Sequence, residues 1–330
     1  MSYLKFFTFL FITIPIFELE AQVDDKYVLK YNQPASQWYE ALPVGNGRLG
    51  AMVFGDFNNE RIQLNEESLW AGSSFDRNNP NSKKYLKKIQ SLIFEEKIVE
   101  AEELASKYML GTPTKVRSYQ TLGDISIDYL YNQRWFPSRY NRSYPTFYNR
   151  NLNLHNGVAN SEFKIGNNTT VQKVFSSSVD DVIVVDISFS EPSNVSFKLS
   201  RGINIKEDDE EDFDPSNHIN MPGWKGDYYD STYRIEYGKG DDWVNFAGQI
   251  IDYPNEKEGP GGEHMRFASV LKVHSTDGEI ETLSQNSNAK INIINATHVT
   301  LVFSGDTDYN INKLNFDRSI DPLLVSKSKV

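Results

Sequence analysis

The segment Asn194-Val195-Ser196-Phe197-Lys198-Leu199 alternates polar and apolar side chains, so that Val195, Phe197 and Leu199 share one face. A period of two with one dry face belongs to a half-buried β-strand. The same alternation returns in Ile125-Ser126-Ile127-Asp128-Tyr129. Outward from these, segments rich in β-branched and aromatic residues, parted by Gly, Asn, Asp or Pro, predict further strands. They fall at Leu49–Phe54, Arg61–Leu64, Asp124–Tyr129, Val158–Ile165, Thr169–Phe175 and Val182–Phe189, and then at Val195–Leu199. Tyr233–Tyr237, Trp243–Ile250, Arg266–His274, Lys290–Ile294 and His298–Phe303 follow. Val182-Ile183-Val184-Val185 is apolar on both sides and predicts a central strand covered on both faces. Together these segments predict a mainly β fold, a large antiparallel β-sandwich (a super-sandwich) with a short helical insertion.

That insertion occupies about 80–110. Tyr85, Leu86, Ile89, Leu92, Ile93, Val99, Ala101, Leu104, Ala105 and Tyr108 recur at spacings of three and four, which is the helical period. Asn79 or Asn81 can cap the start, Gly111-Thr112-Pro113 stops the end, and the chain around Lys97 divides the stretch in two. The amphipathic pattern predicts two helices lying on the sandwich, with Lys87, Glu96 and Glu103 in water.

The first residues address the compartment. Lys5 precedes the apolar run 6–17, and Ala21 offers a small residue for cleavage. This is the pattern of a secretory signal peptide over 1–21, and the run is too short to cross a bilayer, which takes roughly 20 apolar residues. The expected location is therefore secreted or periplasmic. No Pro/Ser-rich linker or internal repeat follows, so 22–305 reads as one β-sandwich domain. The polar, weakly patterned segment 306–330 reads as the start of a linker.

Composition narrows the chemistry. Without cysteine there are no disulfides, thiolate metal sites or cysteine nucleophiles. A formal net charge of -11 opposes nucleic acid and anionic membrane surfaces. The 18 Tyr and 5 Trp suit sugar faces and sandwich cores alike. His155, His218, His264, His274 and His298 show no metal-ligand spacing, and no phosphate-binding loop or nucleophile elbow occurs. The acidic run 207–214 has the charge to attract a hard cation but lacks a formed calcium-loop pattern, so a solvated excursion is the simpler reading. Glu66, Glu67, Asp124, Asp227 and Glu263 are acidic enough for glycosidase work, but spacing alone marks none of them.

The richest stretch runs from Tyr31 to Gly72. Within it, Gly45-Asn46-Gly47-Arg48 supplies an open turn followed by a planar donor fork. Asn65, Glu66 and Trp70 then leave a strand together, setting hydrogen-bonding groups beside an aromatic ring. A sugar site or a polar domain interface needs that combination, and so does ordinary packing of an interface or core. Asn46, Arg48, Asn65, Glu66, Trp70 and, further on, Glu263 are the substrate-side or interface candidates.

Trp38-Tyr39-Glu40-Ala41-Leu42-Pro43-Val44-Gly45-Asn46-Gly47-Arg48-Leu49-Gly50 and Ile62-Gln63-Leu64-Asn65-Glu66-Glu67-Ser68-Leu69-Trp70 resemble the N-terminal domain of glycoside hydrolase family 95, the α-L-fucosidases. Tyr108-Met109-Leu110-Gly111-Thr112-Pro113, Ser118-Tyr119-Gln120-Thr121-Leu122-Gly123-Asp124 and Gly259-Pro260-Gly261-Gly262-Glu263 extend the resemblance over most of the chain. It implies a parent reaction that hydrolyses terminal α-L-fucosyl linkages of glycans with inversion, needing no cofactor or metal, so the implied partner is a fucosylated glycan. It also implies that catalysis belongs to an (α/α)6 barrel after the sandwich, and such a barrel needs well over ~150 residues. The chain reaches Val330 before any such length. The expectation is an inactive sandwich with no catalytic residue of its own, its barrel absent or separately encoded. A free carbohydrate-binding module and a non-functional remnant are the alternatives.

Overall fold

The computed structural model describes residues 25–72, 76–117, 119–130, 144–201, 232–252, 262–284 and 288–330. The signal-peptide segment 1–21, the acidic run 207–214, Asp227, Trp135 and Trp224 lie outside the described residues.

Sixteen strands are described, antiparallel throughout. They are β1 (Val28–Tyr31), β2 (Leu42–Gly45), β3 (Leu49–Val53), β4 (Asn59–Glu66), β5 (Gly123–Leu130), β6 (Phe147–Asn153), β7 (Val158–Ile165) and β8 (Asn168–Ser177). Next come β9 (Val182–Ser200), β10 (Thr232–Lys239), β11 (Trp243–Asp252), β12 (Gly262–Thr276), β13 (Glu279–Ser284) and β14 (Ala289–Thr307), then the short pair β15 (Tyr309–Asn310) and β16 (Asn315–Phe316). The helices are α1 (Ser82–Phe94), α2 (Ile98–Tyr108) and α3 (Pro322–Lys329).

The sandwich is built on two long strands. β9 and β14 each run for 19 residues, and each belongs to both layers. Val182–Phe189 of β9 pairs with β8, while Asn194–Ser200 pairs with β5. Along β14, Val299–Thr307 pairs with β12, while Ala289–Ile294 pairs with β13. One layer is therefore β1-β6-β7-β8-β9-β14-β12-β11-β10, and the other is β2-β3-β4-β5-β9-β14-β13. The crossing points are irregular. The β9–β14 register slips between Ile293, Ala296 and His298, and Asn295 takes φ 59°. Bulges of this kind bend a strand from one sheet into the other. The sequence pattern shows each long strand as two separate segments, because bulge residues break the alternation.

Ile62, Leu64, Ile125, Ile127, Phe197, Leu199, Ile291 and Ile293 meet Phe163, Val174, Val185, Ile187, Phe246, Phe267, Leu301 and Phe303 in one core. A fully buried Tyr129–Gln172 hydrogen bond of 2.5 Å joins β5 to β8 across it. Strands β1, β2, β6 and β13 carry little alternation in sequence. β1 and β13 are mostly exposed edges, Pro43 interrupts β2, and β6 is polar. Val182–Val185 is central as expected, lying between β8 and β14, but its outward Val184 is only half-buried.

The insertion forms α1 and α2 with the break at Glu95–Lys97. It does not lie on the sandwich as its amphipathic pattern predicts. Ile89, Leu92 and Ala101 make a small core of their own with Tyr85 and Leu104, while Leu86, Ile93 and Val99 are exposed. Periodicity reports an apolar stripe, and here the second helix covers it in place of the sheet. A stalk holds the pair, with Arg77 Nη2 donating to the carbonyls of Pro113 and Lys115 at 2.6 Å each.

The segment 306–330 folds back onto the sandwich. Asp321 Oδ1 caps α3 by accepting from Leu323 N at 2.9 Å, with Pro322 in the first turn. The helix packs against β12 and β14, and Lys327 Nζ stands 3.9 Å over the Trp243 ring.

The inward row of β4 is Glu60, Ile62, Leu64 and Glu66, an apolar pair with a carboxyl at either end. Glu60 is buried, and its Oε1 accepts from Phe54 N at 3.0 Å. Burial pushes its carboxyl up to about 8. Its raised value means that the folded chain holds a proton that the unfolded chain releases above about 4.5. The associated stability is complete below that value and is lost as pH rises through about 8, a change of order 5 kcal/mol across the window. Glu60→Gln removes this term. Urea unfolding of both proteins from acid to mildly alkaline pH should show the variant gaining relative to the parent as pH rises. Parallel profiles would refute the buried neutral acid.

Candidate functional site at one end of the sandwich

Five of the sequence-derived candidates gather at one end of the sandwich, where the β2–β3 turn, the chain leaving β4, the β8–β9 turn and the end of β14 converge. The β2–β3 turn is Gly45-Asn46-Gly47-Arg48, and Gly47 has φ 99°, a region that suits glycine. Asn46 organises it. Its Oδ1 accepts from Arg48 N at 3.0 Å and Leu49 N at 2.8 Å, while Nδ2 donates to Ser177 O at 2.9 Å and Asp181 Oδ1 at 3.1 Å.

Arg48 then reaches across the layers. Its Nε donates to Asp181 Oδ2 at 2.6 Å, and its Nη1 donates to Gly305 O at 2.8 Å and lies 3.2 Å from Asp306 Oδ1. Glu66 Oε1 is 3.5 Å from the same nitrogen. Lys329 of α3 closes the circuit, with Nζ 2.8 Å from Asp181 Oδ2 and 2.5 Å from Asp306 Oδ1. Ser326 Oγ donates to the other Asp306 oxygen at 2.9 Å. Two cations thus face three carboxyls in a half-buried pocket of charge. Partial burial works to raise Asp181, but the hydrogen bonds from Arg48 and Lys329 outweigh it and hold it below the ordinary range. Burial dominates at Glu66 and raises it, although Ser68 donates to Oε2 through N at 2.9 Å and Oγ at 2.7 Å.

Asn65 and Trp70 form a second group around Tyr119. The Tyr119 hydroxyl shares its one proton between Asn65 Oδ1 and Glu66 O, and its ring meets Trp70 edge-on at 5.0 Å. Burial, helped by the Glu66 charge, pushes the Tyr119 phenol up to about 12. Trp70 also lines an open cleft of about 440 Å³ with Glu67, Ser68, Met265, Tyr309, Ile311, Leu314, Asn315 and Phe316. The β15–β16 wall of this cleft is fixed by the Arg318–Asp308 ion pair, which also seats Arg318 Nη2 on His264 O at 2.7 Å.

Glu263 pairs through its backbone with Ile251 in the β11–β12 ladder, and its side chain lies outside the described residues. The other candidates therefore divide. Asn46, Arg48 and Glu66 belong to an internal ion network, and Asn65 and Trp70 belong to a half-exposed aromatic group. Sequence reasoning missed Asp181, Asp306, Lys329 and the β15–β16 wall. Asp181 meets Arg48 and Lys329 from more than a hundred residues away, with only its positive φ (58°) to hint at a built turn, while Asp306, Lys329 and the β15–β16 wall fall in or beside the segment read as a linker.

Chemically, the carboxyls of Glu66, Asp181 and Asp306 are engaged by Arg48, Lys329, Ser68 and Ser326. The cleft offers aromatic and aliphatic surface, the hydroxyls of Ser68 and Tyr309 and the Asn315 amide, with Glu67 as the one carboxylate among its described lining residues.

A family model described as glycosyl hydrolase family 65, N-terminal domain, matches residues 29–312. The chain is similar to "Alpha-L-fucosidase 2" of Arabidopsis thaliana, 27% identical over 295 residues, covering 89% of this chain and 32% of that protein. It is also similar to "Probable alpha-fucosidase A" of Aspergillus niger, 29% identical over 284 residues, covering 83% of this chain and 29% of that protein. The chain thus spans about a third of the length of these curated relatives. Among solved structures, one titled "Putative kojibiose phosphorylase from human microbiome" aligns with a TM-score of 0.47 at 11% identity, covering 92% of this chain and 35% of that chain.

The network makes a direct prediction. Arg48→Met keeps the stem volume but leaves Lys329 as the one cation in the network facing Asp181 and Asp306, which should cost about 3 kcal/mol. Urea midpoints at neutral pH measure it, and a change below about 0.5 kcal/mol would show that the ends are held by packing instead.

Proposed function

From the premise that this chain belongs to the glycosyl hydrolase family 65 N-terminal domain family, we propose that it is the sandwich portion of an α-L-fucosidase of the family 95 type. The parent reaction is the inverting hydrolysis of terminal α-L-fucosyl groups from glycans. The observation that carries this reading is the span of similarity, since proteins named as α-fucosidases align over 83% and 89% of the chain. The quoted motifs from Trp38 to Trp70 support it further.

In this reading the sandwich has a supporting part in that reaction. Inverting hydrolysis sets two carboxyl groups roughly 6.5–9.5 Å apart across the scissile bond, one as acid and one to activate water. Among the described residues the cleft has Glu67 as its one lining carboxylate, and the neighbouring acids Asp181 and Asp306 are held by cations. In this reading the catalytic pair comes from the length of the relatives that this chain does not span, an (α/α)6 barrel. The end carrying Arg48, Trp70 and the cleft faces that barrel. Residues 1–21 direct export, so the enzyme works outside the cytoplasm or in the periplasm, and the reaction requires no cofactor.

Purified chain 1–330 should release no L-fucose from 2'-fucosyllactose, whereas the chain expressed with its catalytic portion should release it with inversion, as read by proton NMR of the first-formed anomer. Fucose release by the chain alone would overturn the supporting role. A complete enzyme inert on fucosides would overturn the substrate class.

A further inference from the structure

The outward face of β4 carries Arg61, Gln63 and Asn65 in a row, each half-buried. Consecutive members of such a row stand about 7 Å apart. An aromatic side chain holds each of the two amides. Trp38 Nε1 donates to Gln63 Oε1 at 2.6 Å, and an indole N–H acts only as a donor, so the Gln63 oxygen must face the indole. The Gln63 amide nitrogen therefore points away from the ring, and it has no protein partner among the described residues. The Tyr119 hydroxyl donates to Asn65 Oδ1, and the Asn65 amide nitrogen likewise has no partner among the described residues. Beside them, Arg61 Nε bonds Asp124 Oδ1 at 2.8 Å, with its guanidinium 5.3 Å over the Phe54 ring. Trp38 is 47% and Trp70 46% exposed, one beside the Gln63 end of the amide pair and the other beyond Asn65 against Tyr119.

Two half-exposed indoles flanking two oriented amides make a strip, not an apolar patch. Aromatic faces accept the C–H faces of pyranose rings, and fixed N–H donors between them select hydroxyl oxygens. We propose that this strip binds a short neutral oligosaccharide lying along β4. The inference rests on the glycan-processing reading above and deepens it by giving the sandwich its own contact with substrate. A neutral ligand follows from the charge. Asp124 and Asp128 flank the row on β5, and the chain carries a net -11, so acidic glycans and nucleic acids meet repulsion.

The test is isothermal titration of purified chain 1–330 with lactose and with 2'-fucosyllactose, read beside intrinsic tryptophan fluorescence. Saturable binding of at least one sugar is expected. Trp38→Ala and Trp70→Ala should each weaken it roughly tenfold, the loss of one stacking platform. The double variant Gln63→Ala with Asn65→Ala should weaken it severalfold while keeping both indoles. Trp243→Phe, beneath Lys327 on another face, should leave it unchanged. Thermal melting of each variant separates lost binding from lost folding. Absence of saturable binding by the folded parent chain would overturn the strip, as would full affinity in both folded Trp38 and Trp70 variants. Binding by the chain together with an assembled enzyme inert on fucosides would sink the fucosidase reading and leave the strip standing; active enzyme with no binding here would sink the strip alone.

Discussion

The fold depends on the pairing of β9 with β14. Each strand is continuous through both layers, so the layers are joined by backbone hydrogen bonds as well as by side-chain contact. That constraint sets the rest. β8 and β12 must attach to one half of the pair, and β5 and β13 to the other. The irregular registers at Ile293–His298 give the turn in direction that lets one ribbon serve two sheets. Val195, Phe197, Ile291 and Ile293, all buried, sit on the segment where the second layer begins.

From this spine the candidate end follows. The β8–β9 turn delivers Asp181, and the last residues of β14 deliver Asp306, because these two strands lie side by side. Arg48 arrives from the facing layer and Lys329 from α3. The ion network is thus a cross-layer fastening at an end where the sheets would otherwise fray. An eight-residue helix is marginal alone, and α3 owes its place to Lys329, Lys327 and its Asp321 cap.

Much of this was legible in sequence. Strands with one wet and one dry face, such as Asp124–Tyr129 and Val195–Leu199, declare themselves because period two and burial coincide. The helix break at Lys97 was visible for a similar reason. The edge strands β1 and β13 were not, since exposed strands need no alternation, although the edge strand β10 was, at Tyr233–Tyr237. Nor was the destination of an apolar stripe, because a stripe records that something covers it without recording what. At the candidate end the turn around Asn46 and Arg48 was readable from its glycines. The acids that Arg48 meets were not, because an ion pair between residues 48 and 181 or 306 leaves no local pattern. Asn65 and Trp70 stood out through composition, yet their organiser is Tyr119, which sequence shows only as one aromatic among many.

The helical hairpin has a separate consequence. Its core is its own, and its stalk is clasped by Arg77, gripping the carbonyls of Pro113 and Lys115, and by bonds from Thr112 N to Arg77 O and from Asn79 Nδ2 to Leu110 O. Free energy gained inside the hairpin is therefore not shared with the sheets. Local opening of such an appendage would leave the sheets standing, so the hairpin forms a cooperative unit of its own within the chain.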